Sequence, residues 1–288
     1  MHYIWGIIHY YDEENRIIGI KKHHQINYYI LTRSQVKRFG IYLHNGVFVY
    51  FFSDDKSKIK HGFKVNEVKN FIKLKRTSTR NNVTYYDMNQ IKEGVRNALN
   101  KPGFRLYLDL EFTMPPYSHK HGMDDFYSEI ISYGMYLEDE DNNVIDEYYG
   151  YVKPLNQIGL SDRTLEFLKV DKNKIINAPK FYKFYNILKD IMVYYQPTIY
   201  VWGRNDILEL EKSYERYNLK PITAKANFIN LMQVMKTYYN IKDDIGLYNA
   251  YSLFNHQPLQ SIQDHNPLHD ALATLEIYHL FIDQIRNK

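Results

Sequence analysis

Arg105–Pro116 reads RLYLDLEFTMPP, an apolar strand that carries two carboxylates. Leu106, Tyr107, Leu108, Leu110 and Phe112 make a core strand that Pro115 and Pro116 close. Asp109 and Glu111 then point to the same face, because side chains alternate along a strand. Like charges side by side on a strand destabilise it, and a bound divalent cation offsets that cost. A strand end whose carboxylates simply reach solvent satisfies the same letters, so the rest of the chain has to choose.

The 288 residues suffice for one large domain or two modest ones with a proper core. Cysteine is absent, which excludes a disulfide framework, a thiolate metal site and a cysteine nucleophile. The opening MHYIWGIIHYYDEEN has no basic leader and too short an apolar run for a signal peptide. No stretch approaches the roughly 18 apolar residues of a membrane span. A soluble, cytoplasmic protein without membrane association is expected. Charge is unevenly spread: residues 1–102 hold 18 Lys and Arg against 8 Asp and Glu, a net +10, and the remainder carries −6. A basic portion fits a polyanion such as nucleic acid, and an acidic one fits a metal-loaded site.

Residues 1–75 read as a small all-β domain. YIWGIIHYYD and RIIGIKK flank a turn at Asp12–Asn15, and INYYILT, GIYL, the Asn45–Gly46 turn, VFVYFF and HGFKVNEVKNFIKL follow. Short strands with turn signals and little helix predict a small barrel or sandwich. Residues 76–102 read as a linker and a short helix, the helix spanning 87–100 with Asp87 as its cap. From residue 103 to 288 the pattern is mixed α/β: strand RLYLDLEF, then EIISYGMYLEDED and VIDEYYGYVKP in a meander about Asn142–Asn143. Helices are expected from Ser161 and after Pro179, and TIYVWG is a buried strand. NDILELEKSYERY, NFINLMQVMKTYYN, GLYNAYSLF and DALATLEIYHLFIDQIR read as amphipathic helices.

Acidic residues recur at element ends. Asp206, in VWGRND, stands just past a buried strand in the first turn of a helix, where an Asp also serves simply to complement the dipole. Asp270, in DHNPLHDALATL, precedes small and apolar residues where a helix approaches the sheet, and an unpaired carboxylate there is expensive. His265 lies five residues before it. His265 and His269 have an i, i+4 spacing that can bind zinc on a helix, but Pro267 argues against a continuous helix through His265.

The order DxE, an Asp after a Trp-Gly strand, and H-x4-D on a last helix resembles the DEDDh family of 3′→5′ exonucleases, in its Eri-type/KapD-like branch. LDLEFTMP, EIISYG, YVKP, LSDRTLEFLKV, VWGRND, GLYNA and HNPLHDAL carry the resemblance, in order, from about Arg105 to Tyr278. It implies an RNase H-like fold, a mixed five-stranded sheet flanked by helices. It also implies that Asp109, Glu111, Asp206 and Asp270 hold two Mg2+ or Mn2+ ions. Two such ions clamp the attacking and leaving oxygens of phosphodiester hydrolysis, and hard cations take oxygen ligands. His265 is implied as the general base, a task that suits a neutral imidazole. Phe112, Thr113 and Met114 are implied to contact the terminal nucleotide, although Phe112 equally fits core packing. Glu129 and Trp202 match family positions and read as structural. Asn230 stands where many relatives have Asp, outside the metal set.

The N-terminal domain more distantly resembles an OB or cold-shock barrel, although an SH3-like barrel fits the same strands. Its stacking positions are here Ile18 and Ile20, so Tyr28 and Tyr29 are expected to stack on bases instead. The chain reads as a metal-dependent exonuclease acting on single-stranded nucleic acid, RNA favoured over DNA, and releasing nucleoside monophosphates. A DNA-directed exonuclease and a non-catalytic nucleic-acid-binding protein are the alternatives. Loss of one or more of the five site positions would favour the second, and all five are present.

Overall fold

The computed structural model describes residues 2–22, 24–76, 82–118, 126–255 and 265–286. Two compact units divide the chain, residues 1–94 and 95–288.

The first unit contains β1 (His2–Asp12), β2 (Ile17–Lys22), β3 (Gln25–Ile30), α1 (Arg33–Phe39), β4 (Val47–Ser53), β5 (Lys58–Lys60), β6 (Phe63–Arg76) and β7 (Val83–Asp87). The turn at Asp12–Asn15 forms as read: Asp12 accepts from the backbone and side-chain amides of Asn15. Strands follow the order β3-β2-β1-β4-β6, and a parallel pairing of β3 with β6 closes them on one another. Ile8, Ile18, Val49, Phe51, Phe71 and Leu74 fill the interior. Helix α1 was hidden in a stretch read as strand-rich. Its start is nonetheless written in sequence: Thr32 and Gln35 form a capping box, and the Gln35 amide donates to the carbonyls of Val68 and Lys69. Residues 77–81 of the expected linker lie outside the described residues. Beyond them β7 pairs with β6, so residues 83–87 extend the sheet of the first unit. Helix α2 (Met88–Leu99) follows, with Asp87 accepting from Asn89 N as the cap, and the two units divide inside this helix.

The second unit contains β8 (Arg105–Phe112), β9 (Ile130–Glu138), β10 (Val144–Tyr151), α3 (Asp162–Leu168), α4 (Lys172–Ile176), α5 (Phe181–Tyr194), β11 (Thr198–Val201), α6 (Asn205–Arg216), β12 (Phe228–Asn230), α7 (Leu231–Tyr239), α8 (Leu247–Asn255) and α9 (Pro267–Arg286). The sheet order is β10-β9-β8-β11-β12, antiparallel through β8 and parallel beyond it. This is the mixed five-stranded sheet expected from the motifs. Leu106, Leu108 and Leu110 pack on one face with α5 and α6, while Tyr107 meets α7 and α9 on the other. One assignment is corrected: Phe228–Asn230 is a short strand pairing with β11, not the first turn of a helix. Asn230 ends it and caps α7, accepting from Gln233 N at 3.0 Å. Asn and Asp cap equally well, so the departure from Asp costs the fold nothing. Among the described residues no helix is long and apolar enough to cross a membrane.

Candidate active site

Strand β8 outruns its neighbour. Tyr200 of β11 pairs with Tyr107, and β11 ends one residue later. The amide of Leu110 is therefore past the last partner on that side, and Asp206 takes it, accepting at 3.1 Å from the first turn of α6. Gly203, at φ +109°, turns the chain from β11 into this helix. Asp206 is thus a cap for the sheet as well as a charge at a helix start.

Asp109 and Glu111 alternate with the leucines and lie on the face that α9 covers. The start of α9 sits unusually close to that face. A Cβ on Gly134 would lie 2.2 Å from Leu268 N and from the Pro267 carbonyl carbon, and Gly134 pairs directly with Asp109. Only glycine permits this approach, and it brings Asp270, in the first turn of α9, next to the β8 carboxylates. Asn266 caps the helix by accepting from Leu268 N, and Pro267 occupies the first helical position. Tyr248 of α8 donates to Asp270 at 2.6 Å.

The result is a buried cluster of like charges. Burial raises the Asp109 carboxyl well above its ordinary value, and Asp206, Glu111 and Asp270 raise it further. Burial likewise pushes Asp206 up to about 7, against backbone hydrogen bonds that lower it and with Asp270 adding repulsion. Glu111, His265 and Asp270 offer ligand atoms within 4.8 Å of one another. Buried oxygen donors that repel one another suit a hard divalent cation.

His265 lies in the loop before α9 at φ +53°, outside any helix, as Pro267 led us to expect. Its Nδ1 is 3.9 Å from Glu111 Oε1, and its ring stacks on Phe167 with centroids 3.8 Å apart. His269 lies on α9, exposed, and is not in the close group. A cavity of about 160 Å3 opens beside His265, lined also by Tyr149, Tyr151 and Lys169.

The residues expected to contact a nucleotide divide. Thr113 is buried, and its hydroxyl accepts from Glu129 N at 2.9 Å. Phe112 packs against the leucine face of the sheet. Met114 is half-buried, with its amide donating to Thr164. Glu129 accepts from Leu155 N, Asn156 N and the Tyr217 hydroxyl, and Trp202 donates to Ile245 O. On the barrel, Tyr29 is buried with its ring against Phe51. Tyr28 is half-buried between Tyr10 and Phe63. Neighbours on a strand face opposite sides, so the two do not form one platform. Gly134, Tyr248 and Phe167 were not singled out from sequence, although EIISYG, GLYNA and LSDRTLEFLKV contain them.

No protein-family model matches the chain. It is 26% identical over 175 residues to the probable 3′-5′ exonuclease KapD of Bacillus subtilis (strain 168), covering 61% of this chain and 82% of KapD. Among solved structures, the nuclease domain of 3′hExo, a DEDDh family member bound to rAMP, matches with TM-score 0.53 and 17% identity over 65% of this chain and 93% of that one. Cell-death related nuclease 4 (CRN-4) matches with TM-score 0.51 and 17% identity, over 63% of this chain and 64% of that one. The likeness to DEDDh 3′-5′ exonucleases read from the motifs is thus borne out for the fold of the second unit, a mixed five-stranded sheet flanked by helices.

Proposed function

We propose that this chain is a metal-dependent 3′→5′ exonuclease that hydrolyses single-stranded nucleic acid, RNA in preference to DNA. The observation that carries this reading is the convergence of Asp109, Glu111, Asp206 and Asp270, from three separate elements, with His265 at the rim. A binding protein has no use for four carboxylates, three buried and Asp109 half-buried, that repel one another. Those four side chains would hold Mg2+ or Mn2+, two per site. Bound there, the cations supply charge stabilisation to the attacking and leaving oxygens.

The chain's own residues do the rest. Water attacks the terminal phosphorus, the bond from phosphorus to the 3′ oxygen of the preceding nucleotide breaks, that oxygen takes a proton from solvent to become a 3′-hydroxyl, and a nucleoside 5′-monophosphate leaves. His265 takes the proton that the water gives up. Met114 and the cavity beside His265 offer the surface on which the terminal nucleotide rests. The strand order and single parallel closure of the first unit support an OB-like reading of that barrel, and its positive charge supports a role in holding the strand.

Labelled RNA and DNA of one sequence, digested side by side with Mg2+ and followed by product length, test this. Stepwise shortening of RNA from the 3′ end, with mononucleotide release and slower loss of DNA, is expected. Equal or faster loss of DNA overturns the RNA preference, because telling the sugars apart requires a group that reads the 2′-hydroxyl. No hydrolysis of either strand overturns the exonuclease reading.

A further inference from the structure

The outside of the barrel carries a band of exposed and half-buried rings. Tyr3 pairs with Phe52, Trp5 with Tyr50 and Ile7 with Phe48 across β1 and β4. Side chains directly opposite on antiparallel strands share a face, so these six stand together, away from the interior filled by Val49 and Phe51. Tyr3 is 57% and Trp5 68% exposed. The Tyr3 ring centroid lies 3.9 Å from that of Phe52 and 5.5 Å from that of Tyr50. A contiguous exposed patch of this kind marks a binding surface.

Charge indicates the occupant. The next strand, β6, sets Lys75 opposite Phe48 and Lys73 opposite Tyr50, one strand spacing, about 4.8 Å, from the rings. Lys73 also meets Asp87 at 2.6 Å. At the far end Asp55 lies 3.2 Å from His2, and Asp54 lies 3.4 Å from Lys69. Residues 1–94 as a whole hold 16 Lys and Arg against 8 Asp and Glu. Rings with a cationic border fit a chain that stacks its bases and presents phosphates alongside. The face of β2 and β3 does not offer this: Ile18 and Ile20 are interior and Tyr29 is buried.

We propose that the outer face of β1, β4 and β6 binds single-stranded nucleic acid, with Tyr3, Trp5 and Tyr50 stacking on bases and Lys75 contacting phosphate. This deepens the exonuclease reading and rests on it only for the identity of the strand as substrate.

The full chain carrying Asp109→Asn, to prevent cleavage, is titrated with 20-nucleotide oligouridylate and oligothymidylate. Tryptophan emission is followed, and Trp5→Phe separates Trp5 from Trp202, the other tryptophan. Quenching that disappears with Trp5→Phe is expected. Trp5→Ala or Tyr50→Ala should weaken 20-mer binding about 5- to 150-fold, the range of one base stack. Lys75→Gln should flatten the slope of log affinity against log salt by about 0.7. Unchanged affinity in both ring variants, with no Trp5 quenching, overturns the proposal. So does concentration-dependent dimerisation of the native chain that Trp5→Ala abolishes, which gives the face to a second copy. If 20-mer binding depends on Trp5 while the native, Mg2+-loaded chain cleaves nothing, the face stands and the exonuclease reading falls. Cleavage with Trp5-independent binding gives the reverse.

Discussion

Asp206→Asn should stabilise the metal-free protein at neutral pH while destroying its activity. Burial lifts the Asp206 carboxyl from 3.8 to about 7. At about 1.36 kcal/mol for each tenfold change in acidity, ionising it inside the folded protein costs about 4 kcal/mol. Asparagine keeps the oxygen that accepts from Leu110 N at 3.1 Å and removes the charge. Because Asp206 shares its repulsion with neighbouring carboxylates that titrate with it, one substitution should recover about half, roughly 2 kcal/mol. For a domain of this size that is a rise in Tm of about 4–8 °C. The folded-state value lies above the unfolded one, so the contribution of Asp206 to stability is fully present below pH 3.8 and is lost as pH rises to about 7. The gain from Asp206→Asn is therefore absent near pH 4 and complete above pH 7. Calorimetry in EDTA across that range measures it, on the transition that Mg2+ shifts. A lower Tm at pH 7.5, or a gain independent of pH, refutes the buried-charge argument.

Asp109→Asn or Asp270→Asn should lower the rate by several orders of magnitude, with metal-free Tm equal or raised; full activity under saturating Mg2+ sinks the metal assignment. EDTA should abolish activity and Mg2+ or Mn2+ restore it, whereas rescue by zinc alone would favour a His265/His269 site. His265→Ala should cost about 10²–10⁴-fold and move the acid limb of the pH–rate profile; an unchanged profile, with the loss appearing in His269→Ala, points to the other histidine. Gly134→Ala should push α9 off the sheet, since its Cβ would lie 2.2 Å from Leu268 N. A stability loss of about 1–3 kcal/mol and weakened Mg2+ binding by titration calorimetry are expected, and native affinity for Mg2+ counts against that role. Glu129→Gln should instead lower Tm, by about 1–3 kcal/mol of stability, with activity per folded molecule kept.

The sheet of the second unit was legible because its strands alternate or run apolar between turn signals, and the carboxylates were legible because they interrupt that pattern at element ends. What escaped reading depends on tertiary contact. Nothing local distinguishes Gly134 from any strand glycine; its reason is the backbone of α9 lying against it. Tyr248 sits in an ordinary amphipathic helix until Asp270 arrives beside it. Strand β12 is three residues long, too short for its alternation to stand out against the helical period that follows. The barrel closure between β3 and β6 joins segments more than thirty residues apart, and no periodicity reports it. Tyr28 and Tyr29 are different, since adjacency alone already places them on opposite faces.

Asp206 and Glu129 show how function separates from structure among buried carboxylates. Both are nearly inaccessible, at 5% and 1% exposure. Glu129 meets three donors, two backbone amides and the Tyr217 hydroxyl, so its charge is satisfied by the chain itself. An amide there would turn an NH2 toward N–H donors. Asp206 faces Asp109 and Asp270, and the backbone hydrogen bonds it accepts leave that repulsion in place. Removing a charge therefore has opposite signs at the two positions, a gain at Asp206 and a loss at Glu129. Under the proposed function, the carboxylates whose neutralisation should stabilise the fold are those that would hold the cations. By that criterion Asp109 groups with Asp206, because its largest perturbations are burial and three like charges. Asp270, although it accepts from Tyr248, presses on both and joins them.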